Sequence, residues 1–182
     1  IGCDDSFGIA PDAVEDFCAT HGELRDGKLY NKPPGAHVKA REAVHVFGNM
    51  ADMPRLMAIA RRYGLILIED ATEALGTQCI DGPFKGKFAG TIGDIGCYSF
   101  NGNKIITTGA GGAVVSNHPD WAEHAKHLST QAKADMLQFL HDEVGYNYRM
   151  TNVQACLGLA QLERLEGFIA HKKELYDHYV AA

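Results

Sequence analysis

The sequence predicts an α/β protein in which helices flank a mostly parallel central sheet. Two observations carry this prediction. Short apolar runs alternate with longer stretches of helical period, and one run, LILI at residues 65–68, shows no polar alternation, as expected for a strand covered on both faces. With 182 residues, 46% of them hydrophobic, the chain can bury one sizeable core. We therefore expect one globular domain over residues 1–182.

The first third of the chain predicts a helix, a loop, a strand and a second helix. Residues 11–20 begin with proline, which suits the first turn of a helix. Residues 21–36 are rich in turn-forming residues and are predicted as a surface loop. Residues 43–47 (AVHVF) predict a buried strand. Residues 52–63 carry apolar side chains at helical spacing and precede Gly64, a residue typical of a helix end.

The middle third predicts further strands separated by turns. The run at residues 65–68 stops at Glu69-Asp70, and a short helix is predicted over residues 71–76. Residues 82–90 (GPFKGKFAG) predict a glycine-rich loop or hairpin. Two more apolar runs predict strands at residues 95–100 and 112–116.

The last third is predicted to be mainly helical. Apolar residues at helical spacing predict helices over residues 119–129, 151–165 and 167–180. Residues 131–148 show no single period and are left without an assigned element. Several side chains of that stretch could contact a substrate, namely those of Gln131, Lys133 and His141.

The composition argues against two classes of partner. The net charge is −6 and the basic residues are scattered, so we expect neither nucleic acid nor membrane as a partner. No apolar run approaches the roughly 20 residues of a membrane span. The five cysteines are odd in number and widely spaced, which fits reduced thiols used as core residues. We expect a cytoplasmic protein with a small-molecule partner.

Both ends of the sequence indicate a fragment. The chain begins at Ile1 rather than at a methionine, and its last helical stretch reaches Ala182 without a capping residue. We therefore expect the chain to be the central part of a longer protein, and this expectation bears on any activity of the chain alone.

Asp70 is a first candidate for a chemical role. It follows the apolar run at residues 65–68, so it should lie at the carboxyl edge of the sheet, where open α/β folds bind their ligands. The structural alternative is that its carboxylate caps the helix predicted over residues 71–76. Taken alone, the residue fits both interpretations.

Lys104 is a second candidate, set between a predicted strand and a polar, glycine-bearing turn. The simplest alternative is an ordinary exposed lysine. The neighbouring Ile105-Ile106 instead suggests a lysine held near the core, where loss of hydration favours the neutral amine. A neutral amine is the nucleophile that Schiff-base chemistry requires.

One cofactor would explain both residues. Pyridoxal phosphate needs a lysine that forms a Schiff base and an acidic partner that keeps the pyridine nitrogen protonated. Ser99, near the end of the strand before Lys104, could offer a hydroxyl to the phosphate. The GAGG run at residues 109–112 precedes a strand and lacks Gly-Lys-Ser/Thr, so it is interpreted as a tight turn rather than a phosphate loop.

The histidines are interpreted as structural. His124 and His127 lie three residues apart on a predicted helix, but no third metal ligand is evident, so we expect a solvated helix face and no metal site. His45 falls in a predicted buried strand and is interpreted as a core histidine rather than a catalytic one, although its strand ends near the candidate site.

Four ordered motifs resemble one known family. They are EDATEALG at residues 69–76, GDIGCYSF at 93–100, GNKIITTG at 102–109 and GYNYRM at 145–150. Together they resemble the DegT/DnrJ/EryC1/StrS aminotransferases, and the resemblance extends over nearly the whole chain, including HVFG at residues 45–48 and QACLGLAQLE at 154–163. One departure is Arg41-Glu42, which stands where apolar residues are usual and leaves the start of that strand open.

The resemblance implies the large domain of a fold type I, pyridoxal-phosphate-dependent aminotransferase. Residues 1–182 would be its central part, without the N-terminal segment of the domain and without the C-terminal small domain. By this resemblance Lys104 would form the Schiff base, Asp70 would pair with the pyridine nitrogen, and Ser99 would bind the phosphate. Glu73 would lie near the phenolic oxygen, where relatives often carry glutamine.

The resemblance also implies a homodimer with shared active sites. Asn147 would reach the cofactor phosphate of the neighbouring subunit, with Arg149 close by. A monomer should then be inactive.

The implied reaction is transfer of an amino group, from an amino acid such as glutamate, to the C4 ketone of a nucleotide-linked 4-keto-6-deoxysugar. The lysine motif, the HVFGN run and the loop at residues 26–35 are most similar to enzymes that aminate UDP-4-keto-6-deoxy-N-acetylhexosamines, as in bacillosamine and legionaminic acid synthesis. A GDP-perosamine-type synthase is the alternative. Two others are a dehydratase, which Lys104 disfavours because such relatives carry histidine there, and a non-catalytic module that binds the cofactor or a sugar.

Overall fold

The computed structural model describes residues 1–135 and 137–182. The chain divides into two compact units, Ile1–Ser99 and Phe100–Ala182. The helices of the first unit are α1 (Pro11–Thr20) and α2 (Met53–Tyr63). Its strands are β1 (Gly22–Arg25), β2 (Lys28–Asn31), β3 (His37–Val38), β4 (Ala40–Val44), β5 (Ile66–Asp70) and β6 (Ile95–Ser99).

The first unit contains the parallel sheet that the sequence predicts. Strand β5 pairs in parallel with β4 on one side and with β6 on the other, so the carboxyl ends of the three strands share one edge. Helix α2 connects β4 to β5. Asp52 caps it by accepting a hydrogen bond from the Arg55 N–H, and Gly64 ends it in the left-handed conformation. The α/β class is confirmed.

A three-stranded antiparallel sheet, β1-β2-β3, occupies the segment predicted as a surface loop. Its register pairs Arg25 with Lys28, which leaves Asp26-Gly27 as a two-residue turn with positive φ at both positions. Asp-Gly is a favoured sequence for such hairpins because both residues tolerate the left-handed region. The loop prediction for residues 21–36 is therefore wrong.

One apolar core holds the first unit together. It lies where α1 and α2 meet the buried sides of β2, β4 and β5, and its members include Val14, Cys18, Leu29, Leu56 and Leu67.

Of the five cysteines, Cys18 is buried, while Cys3 and Cys156 are exposed. The expectation of core cysteines therefore holds for Cys18 and fails for those two.

Strand β5 differs from its prediction in extent and pattern. It includes Glu69 and Asp70, and buried residues alternate with half-buried ones along it. A charged residue continues the buried face because the Glu69 carboxylate is met by hydrogen-bond donors, as described below. The predicted helix over residues 71–76 is absent. Two hydrogen bonds, from Ala74 N to Ala71 O and from Thr77 N to Ala74 O, form two successive turns instead.

Strand β4 also ends earlier than predicted. It runs from Ala40 to Val44 and includes Arg41-Glu42, after which residues 46–48 form a turn. Phe47 lies in the left-handed region at φ 54°, which strand geometry does not allow. The apolar run 43–47 is thus divided between a strand and a turn.

The second unit is mainly helical. Its strands are β7 (Gly112–Ser116), β8 (Lys133–Asp135) and β9 (Leu140–His141), and its helices are α3 (Pro119–Ser129), α4 (Asn152–Leu162) and α5 (Leu165–Ala181). Strands β8 and β9 pair in antiparallel fashion within the stretch that the sequence leaves unassigned. Helix α4 begins with a capping box formed by Thr151 and Gln154. No helix in the described part of the chain is both long and apolar enough to cross a membrane.

Candidate active site

The carboxyl edge of the parallel sheet brings together two of the predicted site residues. Asp70 is the last residue of β5 and lies opposite Val44 of β4 and Cys97 of β6. Ser99 ends β6, two residues beyond Cys97. Because the strands are parallel and adjacent, a carboxylate and a hydroxyl are placed on neighbouring strand ends, as the sequence predicts.

Asp70 also organises the turn that follows it. Its Oδ1 accepts a hydrogen bond from the Thr72 N–H at 3.0 Å, and its own carbonyl accepts one from the His45 N–H at 3.0 Å. The capping interpretation therefore holds in part, because the carboxylate caps a turn rather than a helix. The side chain is half-buried, as suits a group at the rim of a site.

Glu73 links the turn after β5 to the turn after β4. Its Oε2 accepts a hydrogen bond from the Phe47 N–H at 2.9 Å. This contact fixes the turn in which Phe47 takes its left-handed conformation. Glu73 thus lies at the same edge as Asp70 and accepts a hydrogen bond from a backbone N–H there. The sequence does not reveal this role.

A buried network lies directly beneath this edge, at Glu69. Both Glu69 and His45 have no exposed surface. Glu69 accepts four hydrogen bonds: Oε2 from His45 Nε2 at 2.9 Å and from Gly90 N at 2.8 Å, and Oε1 from Ile92 N at 2.7 Å and from Gly93 N. The carboxylate thereby ties strand β4 and the segment before β6 to strand β5.

The partners of this network define its protonation. Nδ1 of His45 accepts a hydrogen bond from the Ala51 N–H at 3.2 Å, so the hydrogen is on Nε2, which donates to Glu69. Burial alone would raise the pKa of Glu69, but the hydrogen bonds from His45, Gly93 and Gly90 outweigh it and hold the pKa below its usual value. His45 is the core histidine that the sequence predicts, with both ring nitrogens bonded.

Lys104 lies in the second unit, in a loop between Phe100 and β7. Its N–H donates to the Asn101 carbonyl at 3.1 Å, and its side chain is half-buried next to the buried Ile106. The loop is closed at its base by two hydrogen bonds, from Thr108 N to Phe100 O at 3.0 Å and from Phe100 N to Gly111 O at 2.9 Å. The lysine is therefore presented on a closed loop rather than on a free chain.

Helix α4 holds the base of this loop. The side-chain amide of Gln161 bonds both backbone groups of Thr107: Oε1 accepts from the Thr107 N–H at 3.0 Å, and Nε2 donates to the Thr107 carbonyl at 2.8 Å. Gln161 lies within the motif at residues 154–163, but the motif alone gives it no separate role. The available signal was a polar amide within an otherwise mostly apolar helical stretch.

Asn147 and Arg149 lie elsewhere in the second unit, and both are exposed. Their segment is attached to the end of α3, through hydrogen bonds from Tyr146 N to Leu128 O at 2.9 Å and from Tyr148 N to Ser129 O at 3.0 Å. The backbone of this segment is thus fixed while the two predicted side chains face outward.

The residues left unassigned by the sequence now have positions. Lys133 and His141 are paired in the β8–β9 register, and the Lys133 ammonium lies 4.7 Å from the centre of the Phe139 ring. His141 Nδ1 donates to the Gln131 carbonyl at 2.5 Å. Gln131 and His141 are therefore brought together, and their first observable role is to fix the segment between α3 and β9.

Two carboxylates lie beside the α3 histidines, although the sequence shows no third metal ligand near this pair. His124 Nε2 is 3.0 Å from both carboxylate oxygens of Glu143, and His127 Nε2 is 2.7 Å from Asp142 Oδ1. The His127 contact holds the pKa of Asp142 below its usual value. Because each imidazole has a carboxylate partner, hydrogen bonds explain the cluster and we assign no metal ion to it.

Comparison with known proteins places the chain in a family. Residues 36–182 match the model of the DegT/DnrJ/EryC1/StrS aminotransferase family. The chain is 45% identical to the GDP-perosamine synthase of Escherichia coli O157:H7 over 152 residues, covering 84% of this chain and 39% of that protein. It is 34% identical to the UDP-4-amino-4,6-dideoxy-N-acetyl-beta-L-altrosamine transaminase of Campylobacter jejuni over 144 residues, covering 78% and 37%.

The structure leads to the same group. The DesV protein of S. venezuelae, solved in complex with a ketimine intermediate, superimposes with a TM-score of 0.79 and 26% identity, covering 99% of this chain and 43% of that one. The chain spans about two fifths of the length of the relatives that it matches. On the extent of the family match, the chain belongs to the DegT/DnrJ/EryC1/StrS aminotransferase family.

Proposed function

We propose that the protein containing this chain is a pyridoxal-phosphate-dependent aminotransferase that aminates the C4 ketone of a nucleotide-linked 4-keto-6-deoxysugar, with glutamate as the amino donor. The observation that carries the proposal is the pairing of β5 with β6, which puts Asp70 and Ser99 on adjacent strand ends. Ser99 precedes Lys104 by five residues. The family match supports it independently.

The chemistry of these side chains fits the cofactor. A carboxylate suits a protonated pyridine nitrogen, a hydroxyl at a strand end suits a phosphate, and an amine on a closed loop suits an aldehyde. When bound, pyridoxal phosphate supplies an electrophilic carbon and a ring that accepts an electron pair.

Each residue then has a defined task. Asp70 keeps a proton on the ring nitrogen, because an anion next to that nitrogen favours its charged form. Ser99 donates a hydrogen bond to the phosphate. Lys104 Nζ would hold the cofactor covalently and, as a free amine, would move a proton to or from the carbon that receives the amino group. Glu73 supports the edge through Phe47.

The substrate class is the finer part of the proposal. The lysine motif favours a UDP-linked N-acetylhexosamine, whereas the 45% identity to a GDP-perosamine synthase exceeds the 34% identity to a transaminase of a UDP sugar. We therefore propose the GDP-linked and the UDP-linked sugar as alternative substrates. Rates of amination with both sugars, measured with one enzyme preparation, decide between them.

We also propose a homodimer in which Asn147 and Arg149 complete the site of the partner subunit. The exposure of both side chains on a segment with a fixed backbone supports this arrangement. Mixing two inactive full-length variants, Lys104→Ala and Asn147→Ala, should restore activity, since hybrid dimers contain one intact site. Failure to restore activity after subunit exchange would contradict a shared site.

The decisive test of the reaction class is the covalent link to Lys104. The full-length protein should show a visible absorbance band with pyridoxal phosphate, lose it on borohydride reduction, and carry the adduct on the peptide containing Lys104. Lys104→Ala should abolish the adduct, and Lys172→Ala, at an exposed lysine of α5, should keep it. Absence of an adduct from the full-length protein would overturn the proposal. An adduct without amination of either sugar would favour a binding module.

A further inference from the structure

Thr107, three residues after Lys104, is the point at which the lysine loop is fixed. All of its polar groups are bonded. Its N–H and carbonyl pair with the Gln161 amide at 3.0 and 2.8 Å. Its hydroxyl donates to the Phe100 carbonyl at 3.0 Å and accepts from the Gly109 N–H at 2.8 Å. One residue therefore joins both ends of the loop to helix α4.

Helix α4 is fitted closely to the same backbone. A Cβ atom added at Gly158 would lie 2.9 Å from Thr108 Cγ2, so a larger residue there would push the helix away from the loop. Gln154 Nε2 lies 3.4 Å from the Ala110 carbonyl. Because residues 154, 158 and 161 are four and three positions apart, they share one helix face, which lies along residues 107–110.

The Gln161 amide satisfies both backbone groups at this position. Thr107 presents one donor and one acceptor, and the Gln161 amide presents the complementary acceptor and donor. A carboxylate could accept from the N–H but would face the carbonyl oxygen without a proton to donate. A thioether of similar length could accept only weakly and has no proton to donate. The pairing is therefore specific in chemistry as well as in length.

We propose that Gln161 is a positioning residue for Lys104, acting through Thr107 to fix the direction from which the lysine amine approaches its reaction partner. The inference rests on the proposed function, since it assigns Gln161 to the same reaction. It goes beyond packing because the contact is made to the backbone of the loop that carries the reactive amine. Misplacement of a reacting group by about 1 Å can cost on the order of 100-fold in rate.

The first test uses Gln161→Met in the full-length, cofactor-loaded protein. We expect kcat to fall roughly 10- to 100-fold while KM for both substrates changes little, since the variant alters the placement of the reactive amine. Thr151→Ala is the control, because it removes the cap of α4 and leaves both groups of the Gln161–Thr107 pair in place. An equal fall in Thr151→Ala would show that helix stability accounts for the effect, and an unchanged kcat in Gln161→Met would overturn the inference.

The second test is the pH profile of Gln161→Glu. At high pH the introduced carboxylate repels the Thr107 carbonyl, whereas at lower pH its protonated form can accept and donate like the amide. The activity of the variant relative to the wild type should therefore rise as the pH falls. A ratio that stays flat with pH would contradict the inference, whatever the absolute activity.

The two proposals fail in distinguishable ways. If the wild-type protein gives no borohydride adduct on Lys104, the proposed function fails. If the wild type gives the adduct and aminates a sugar while both Gln161 variants match its kcat, only the positioning role fails.

Discussion

The two units of the chain are stabilised by different kinds of contact. In Ile1–Ser99 a continuous apolar core joins helices to sheet, and even the buried charge of Glu69 is enclosed by donors. In Phe100–Ala182 the buried residues of the described chain are Ile106, Thr108 and Ala132. Here polar side chains fix the backbone, as Gln161 does at Thr107. Burial holds the edge that carries Asp70, and hydrogen bonds hold the loop that carries Lys104.

The difference also shows in what each unit leaves exposed. Helices α4 and α5 contain no buried residue. Their exposed apolar side chains include Leu157, Leu159, Leu162, Tyr179 and Val180. Apolar surface of this extent is typical of a region that contacts further protein, which agrees with the proposed homodimer.

The largest expected effect follows from the buried charge. Glu69→Gln replaces an acceptor by an amide NH2 that must face backbone donors, so we expect a loss of about 3–5 kcal/mol in the free energy of unfolding. Asp142→Asn, at an exposed pair in the second unit, should change it little. Urea denaturation at neutral pH measures both. A loss in Asp142→Asn as large as in Glu69→Gln would break the comparison.

The same two carboxylates give the pH dependence. Each pKa lies below its usual value, so each stabilises the fold above that usual pKa and loses the contribution as the pH falls through the lowered one. Stability of the wild type should therefore decline in the acid range, and Glu69→Gln should flatten this decline far more than Asp142→Asn. Equal curves for Glu69→Gln and the wild type would contradict this role of Glu69.

Matched leucines probe the core directly. Leu56 on α2 is 1% exposed and Leu159 on α4 is 60% exposed. We expect Leu56→Ala to lower the free energy of unfolding by about 2–5 kcal/mol and Leu159→Ala by less than about 0.5 kcal/mol. Denaturation of the 182-residue chain at low concentration tests both. A large loss for Leu159→Ala would mean that α4 is covered in solution.

Replacement of two glycines by alanine, one in each unit, should change the stability of the protein in opposite directions. A Cβ at Gly96 of β6 would collide with the Gly90 carbonyl, whereas nothing lies within 4 Å of one at Gly167 of α5. Gly96→Ala should destabilise by about 1–3 kcal/mol, and Gly167→Ala should stabilise by about 0.5–1 kcal/mol through helix propensity. Thermal melts distinguish them. Destabilisation by Gly167→Ala would reveal a neighbour at α5.

The helix caps should give the smallest difference between the units. Asp52 caps α2 and Thr151 caps α4, each through a bond to a backbone N–H. Because a cap acts locally, Asp52→Ala and Thr151→Ala should each cost about 1 kcal/mol, measured by chemical denaturation. Strongly unequal losses would show that the surrounding core modulates the cap.

Local signals explain which elements the sequence predicts well. Helix α2 has its cap at Asp52 and its stop at Gly64, and β7 was predicted at its observed bounds because it is a short apolar run between turns. The β1–β2 hairpin was missed although Asp26-Gly27 marks it, because its short strands are mostly polar. The wrong helix over residues 71–76 reflects apolar spacing that Asp70 overrides by starting a turn.

The sequence predicts the candidate site only for residues that directly follow a predicted strand. Asp70 and Ser99 follow apolar runs, so the edge that they share could be expected from strand order. The contacts of Glu69 with His45 and of Gln161 with Thr107 join residues 24 and 54 positions apart. No local pattern encodes such a separation, so these partners became visible only in the structure.

The adjacency of Glu69 and Asp70 has a consequence for how this strand can evolve. Side chains alternate along β5, so one carboxylate points into the interior and the next toward the opposite face at its end. An insertion of one residue before Glu69 would move Glu69 to the rim position of Asp70, and a deletion there would move Asp70 among the backbone donors that Glu69 now meets. A one-residue shift of the strand in either direction would therefore disturb both the buried network and the rim.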